Sequence, residues 1–185
     1  MEIKEQSIKP IPKMEEAKLQ DKTCKKKKIE RKDLLVLSYL RQNAREQLTK
    51  ISKKTSIPVS TICDRLRTHE GGLIKKHVSL LDYKQLGYSM MAHIVMKCCK
   101  ESRDEVKSYL MKNQNVNSFF RINNGFDFLV EGIFKDITHM ETFLDELQGK
   151  GVTEIKVHYI IDEMKREEFM TNPDFAYSMM QTCND

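Results

Sequence analysis

LTKISKKTSIPVSTICDRLRTHE, Leu48 to Glu70, carries two short helical stripes separated by a proline-bearing corner. In the first stripe, Leu48 and Ile51 anchor a helix that ends near Thr55. Ser56-Ile57-Pro58 then breaks it, because proline has no N–H and biases the residue before it away from helical angles. In the second, Val59, Ile62 and Leu66 recur at helical spacing and face inward, while Ser60, Thr61, Asp64, Arg65 and Thr68 point away. Gly71-Gly72 ends this helix, as a helix C-terminus prefers.

Upstream, from Arg31 to about Gln42, Leu34, Leu37 and Leu40 share one stripe flanked by Leu35 and Tyr39, which predicts another helix. Downstream, LIKKHVSLL (Leu73–Leu81) alternates as a strand does and places Lys75 and Lys76 at a hairpin edge. Three helices and this strand make a winged helix-turn-helix unit over residues 29–81. A major groove about 12 Å wide accepts one helix, so the polar face of the third helix is the candidate DNA reader. Ser60 and Thr61 suit bases or phosphates, and Arg65 offers a two-pronged guanidinium. Asp64 accepts from a cytosine amine or orients Arg65; Arg67 and Thr68 complete the face. Lys53, Lys54, Lys75 and Lys76 suit the phosphates, which set register without reading sequence. The competing reading is an ordinary solvated face, or one used for protein contact.

Charge supports a polyanion partner for the front of the chain only. Residues 1–88 hold 21 Lys+Arg against 11 Asp+Glu, net +10, whereas residues 89–185 hold 11 against 16, net −5. Residues 1–28 lack hydrophobic periodicity and contain KPIPK and Lys25–Lys28, the composition of a disordered basic tail that is simply solvated or, alternatively, adds non-specific phosphate contact.

The second half has another rhythm. Met90–Lys97 alternates as a strand, with Ala92, Ile94 and Met96 on one side. Ser102-Arg103-Asp104-Glu105 has the form of a capping box opening a helix with Val106 and Leu110. Val116–Asn123 and Asp127–Phe134 are strands around an Asn124-Gly125 hairpin turn. Ile137, Met140, Leu144 and Leu147 step along a second helix, and Val152–Ile161 gives a last strand. The order βαββαβ is a ferredoxin-like unit, placed at residues 89–165 after a connector at 82–88, with a charged extension at 166–185 that packs on a dimer or frays. The fold class is therefore α+β. Met91, Val95, Phe119, Leu129, Ile133 and Ile160 fall on the sheet face opposite the helices; an apolar second face calls for another subunit.

A helix-turn-helix, a wing, the connector LLDYKQLGY (Leu80–Tyr88) and a βαββαβ unit together resemble the Lrp/AsnC, or leucine-responsive, transcription regulators. The resemblance spans roughly residues 31–165 and is most specific in the connector and in NGFDFL (Asn124–Leu129), which is similar to the family's Gly-Asp-Tyr-Asp-Tyr hairpin. It implies a homodimer or a larger even-numbered assembly such as a tetramer or octamer, binding to double-stranded operator DNA, and a small effector, often an amino acid. The effector would sit between neighbouring dimers near Asn124, Gly125, Phe126 and Asp127. Asn124 stands at the family's first hairpin glycine, Gly125 at the acidic residue after it, and Phe126 in place of a tyrosine. Asp127 is retained, to pair with a ligand ammonium or to cap its own turn. Ser52 and Ser56 replace a usual alanine and a usual turn glycine, and His69 occupies a usual leucine position.

Other residues exclude more than they suggest. No apolar run is long enough for a membrane helix, and five cysteines without a C-x-x-C pair read as free thiols, so the expected place is the cytoplasm. His69, His77, His93, His139 and His158 have no ligand spacing, so neither a metal nor a cofactor is expected beyond the effector. Proteins that resemble this two-domain plan include sirohaem decarboxylases, whose sites use clustered histidines and arginines; only His93 lies near the corresponding place, so an enzyme is not expected. A weakly selective DNA packer without an effector is the remaining alternative.

Overall fold

The computed structural model describes residues 29–178; the basic tail expected at residues 1–28 lies outside them. The front of the chain forms three helices, α1 (Arg31–Gln42), α2 (Leu48–Thr55) and α3 (Val59–His69). Their shared core is Leu35, Val36, Ile51, Ile57 and Ile62, with Tyr39, Leu40, Leu48 and Leu66 packed around it. Ile62 and Leu66 of α3 thus face inward as their spacing implies, whereas Val59 is only half-buried outside this cluster and His69 is buried instead. In α1 the buried row is instead Leu35 and Val36 beside Asp33 and Ser38, while Leu34 and Leu37 are only half-buried. Four consecutive apolar residues leave the helix phase ambiguous, and packing chooses it.

The corner works without its usual glycine. Ser56 takes left-handed angles (φ 57°, ψ 25°), and Ile57 drops into the core at 4% exposure. Thr55 braces the bend: its hydroxyl donates to the Ile51 carbonyl at 2.8 Å and accepts from the Ile57 N–H at 3.4 Å. Pro58 then caps α3, where its missing N–H costs nothing.

The expected wing strand is not formed. After α3 the Gly71 N–H donates to the Ile74 carbonyl at 3.0 Å, closing a turn with one isolated Glu70–Ile74 bridge. The rest of Leu73–Leu81 runs irregularly, with Leu73, Val78, Leu80 and Leu81 exposed. Alternation alone cannot make a strand where no second strand receives its N–H and C=O groups. The connector follows as a 3-10 turn at Tyr83–Leu86, capped by the Asp82 carboxylate and ended by Gly87 at φ 83°.

The second half folds as β1 (Met90–Cys98), α4 (Arg103–Lys112), β2 (Val116–Arg121), β3 (Phe128–Phe134), α5 (Ile137–Gly149) and β4 (Val152–Tyr159). The sheet order is β2-β3-β1-β4, every neighbouring pair antiparallel. Ala92, Ile94, Met96, Val130 and Phe134 meet Val106, Leu110, Met140 and Leu147 of the helices in one core. The capping box at Ser102 is absent: its backbone is already helical (φ −93°, ψ −6°) and its hydroxyl makes no cap bond. In α5, by contrast, Asp136 accepts from the His139 N–H at 2.8 Å.

One strand face is corrected by a bulge. Val116 pairs with Gly132 and Ser118 with Glu131, so β2 holds an extra residue there. Beyond the bulge, Phe119 pairs with Val130 and joins the helix-side core, its ring tilted 57° against Phe128, and Phe120 takes the open face at 54% exposure. The open face thus presents Met91, Val95, Leu129, Ile133 and Ile160 with Phe120 in place of Phe119.

The described part of the chain beyond β4, to Ser178, packs back on the molecule. Arg166 crosses to Glu131, a carboxylate only 8% exposed on the open sheet face, which also accepts from Asn117 at 2.9 Å and Ser118 at 2.7 Å. Glu167 and Met170 take left-handed angles, turning the arm back toward α1. There Arg41 donates to the Glu167 carbonyl at 2.7 Å, the Phe169 carbonyl at 3.1 Å and the Glu167 carboxylate at 2.9 Å. A short helix, α6 (Pro173–Ser178), lies against α1. No helix among the described residues is long and apolar enough to cross a membrane.

Candidate nucleic-acid interface and effector site

On α3, Ser60, Asp64, Arg67 and Thr68 are exposed and Thr61 is half-buried. The Thr68 hydroxyl donates back to the Asp64 carbonyl at 2.8 Å, so at rest it faces its own helix. Lys53 and Lys54 are exposed on the last turn of α2, with the Lys54 ammonium 5.1 Å from the Tyr39 ring centre. Lys75 and Lys76 are exposed too, on the irregular segment rather than on a wing.

Arg65 does not belong to this face. Its guanidinium turns onto α1 and pairs with Asp33 at 2.7 Å and Glu30 at 2.6 Å. The reason lies in α1: Asp33 is 3% exposed, and a carboxylate taken out of water requires cationic and N–H partners. It receives three. Arg65 holds one oxygen, while the Glu30 N–H at 2.7 Å and His69 at 3.3 Å meet the other. Burial pushes the Asp33 carboxyl up, but the Glu30 N–H, Arg65 and His69 outweigh it and hold the group below its ordinary range. The bonds to Asp33 and then to Glu30 raise Arg65 in turn. This knot was hidden in the sequence, although an acidic residue beside an apolar run and a histidine in a leucine slot are its two visible traces.

The Asn124-Gly125 turn has both residues at positive φ, 65° and 88°, and is closed by the Ile122 N–H donating to the Asp127 carbonyl at 3.0 Å. The Asp127 side chain does not cap its own turn. Its carboxylate accepts from the Cys98 N–H at 2.9 Å and pairs with Arg103 at 2.6 Å, tying the hairpin to β1 and the start of α4. Phe126 carries the Lys156 ammonium 4.6 Å above its ring. Burial and then the charge of Asp127 push the neighbouring Cys98 thiol up to about 11, leaving it unreactive.

At the opposite end of β3 a cleft of about 770 Å³ opens between the connector, the end of α4, the start of β2 and His139 of α5. Spacing gave no hint of this cleft, because three stretches far apart in sequence, around Tyr83–Tyr88, Tyr109–Asn117 and Ile133–His139, meet to form it.

An open-faced βαββαβ sheet joined to a helix-turn-helix defines a regulator-like architecture, and the comparisons agree. Residues 91–169 match the model of the Lrp/AsnC ligand binding domain. The HTH-type transcriptional regulator FL11 of Pyrococcus horikoshii is 32% identical over 114 residues, covering 61% of this chain and 76% of that protein. The glutamate uptake regulatory protein of Zymomonas mobilis is 22% identical across 80% of this chain and 93% of its own length. Among solved structures, a Neisseria meningitidis transcriptional regulator in complex with L-Met superposes with a TM-score of 0.70 at 22% identity, covering 75% of this chain and 94% of that one. LrpC of Bacillus subtilis superposes with a TM-score of 0.69 at 19% identity, covering 75% and 99%. The chain belongs to the Lrp/AsnC family of transcriptional regulators. It is a DNA-binding regulator, not an enzyme.

Proposed function

We propose that the chain acts as a cytoplasmic homodimer whose two α3 helices read two half-sites of duplex DNA. The observation that carries this reading is the exposed row Ser60, Asp64, Arg67 and Thr68 on α3, flanked by Lys53, Lys54, Lys75 and Lys76. Arg67 and the hydroxyls of Ser60, Thr61 and Thr68 address base edges; the lysines address phosphates. Arg65 supports α3 from behind and has no part in base reading. The second subunit covers the apolar open face around Met91, Val95, Phe120 and Leu129, and further pairing of dimers gives a tetramer or octamer.

An amino acid is the effector the family suggests, one solved relative being an L-Met complex. With Asp127 engaged by Arg103, the hairpin would contact it through Asn124, Gly125 and Phe126 alone. That same engagement favours a second reading, a weakly selective DNA packer that senses nothing. Fluorescence anisotropy against operator and random duplexes over a salt series tests both. We expect Arg67→Ala to lose about 1–3 kcal/mol of discrimination between the duplexes. Lys53→Ala with Lys54→Ala should lower the slope of log affinity against log salt by about two. Equal affinity of the unaltered protein for both duplexes would sink specific reading and favour the packer.

A further inference from the structure

The 770 Å³ cleft is remote from the hairpin and belongs to no function described so far. Its size falls within the range of small-molecule sites, roughly 300–1,000 Å³. Two lysines line it, Lys112 at the end of α4 and Lys135 just beyond β3, and no carboxylate does. Among the described residues neither ammonium has a carboxylate partner; Lys135 rests only near the Tyr88 ring, 5.9 Å from its centre.

Three carboxylates stand behind the lining and are bonded to it rather than to the lysines. Glu146 accepts from the Tyr109 hydroxyl, Asp136 from the His139 N–H, and Glu131 from Asn117, Ser118 and Arg166. The walls are otherwise held in place. His139 accepts from the Lys135 N–H at 3.3 Å and meets Asn115 at 3.2 Å, and Asn113 receives the Asn115 N–H at 2.9 Å. Leu86, Tyr88, Val116 and Ile133 provide an apolar floor.

From this pattern we infer that the cleft is a binding site for a small organic anion with an apolar body and no ammonium group. Two ammonium groups without counter-charges attract a carboxylate or a phosphate. No carboxylate lines the cleft to pair with an amino acid's ammonium, whereas two lysines are there to pair with an anion. The ligand is therefore closer to an oxo acid or an organic phosphate than to the amino acid itself. This site is separate from the hairpin and from α3, so its success or failure leaves DNA reading untouched.

Isothermal titration of the full chain without DNA provides the test. The probes are 4-methyl-2-oxopentanoate, 3-methylbutyl phosphate and L-leucine, which share a carbon frame and differ in charged groups. One anion per protomer should bind at least tenfold more tightly than L-leucine. Lys112→Gln and Lys135→Gln should each weaken it about tenfold, the loss of one charged hydrogen bond. Both variants should keep the unaltered protein's DNA affinity and melting temperature, which separates loss of the site from loss of the fold. The stronger of the two organic anions identifies the head group. Binding of L-leucine as tight as either anion, binding unchanged in both lysine variants, or no binding of either anion would each overturn the assignment.

Discussion

Arg65 and Arg67 stand two residues apart on one helix and meet opposite environments: Arg65 is clamped by Asp33 and Glu30, Arg67 is exposed. Arg65→Ala would leave the Asp33 charge buried with fewer partners, so unfolding free energy should fall by about 3 kcal/mol in urea titrations. Arg67→Ala should leave stability within about 0.5 kcal/mol of the unaltered protein, as surface changes do. The same knot sets an acid limit. The Asp33 carboxyl is depressed from its ordinary 3.8 in the folded state, so its contribution is complete above that value and is lost as pH falls through the folded one. The urea midpoint of the helix-turn-helix should therefore drop below about pH 4, and Asp33→Asn should flatten that drop while lowering the plateau. Periodicity assigned Arg65 to the outer face because it counts residues along one helix; the pull of a buried acid on a neighbouring helix is not in that count.

At the scale of elements, spacing located all three helices of the front unit and every strand and helix of the βαββαβ unit. It failed where a partner decides the outcome. Leu73–Leu81 alternates but has no strand to pair with, and Phe119 changes face because β2 carries an extra residue against β3. Gly132 lies in this part of the sheet, opposite Ala92 and Val116. A Cβ there would sit 2.6 Å from the Phe134 ring, which is fully buried, so the ring must move. Gly132→Ala should cost about 1–3 kcal/mol of stability by thermal or urea unfolding, the range for overpacking. Arg166→Ala should cost a similar amount, about 3 kcal/mol, because Glu131 would keep its burial and lose its cation. The candidate site was legible in the same measure. The polar row of α3 and the lysines could be read off, whereas the clamp on Arg65, the ties of Asp127 and the cleft all depend on segments far apart in sequence.

Across the whole molecule, charge and topology divide the labour. A front half of net +10 carries the groove-sized helix, and a back half of net −5 carries the sheet whose open side is apolar. The arm from Arg166 to α6 joins them, fastening the sheet to α1 through Arg41. In the proposed homodimer, two such protomers paired through their sheets would hold two α3 helices in a fixed relation. Selection of bound sequences from a random duplex pool, using the full chain, tests this most directly. The account predicts a two-fold symmetric consensus whose half-sites lie whole helical turns apart, about 10 base pairs or a multiple. Enrichment of a single unpaired half-site, or none at all, would contradict it.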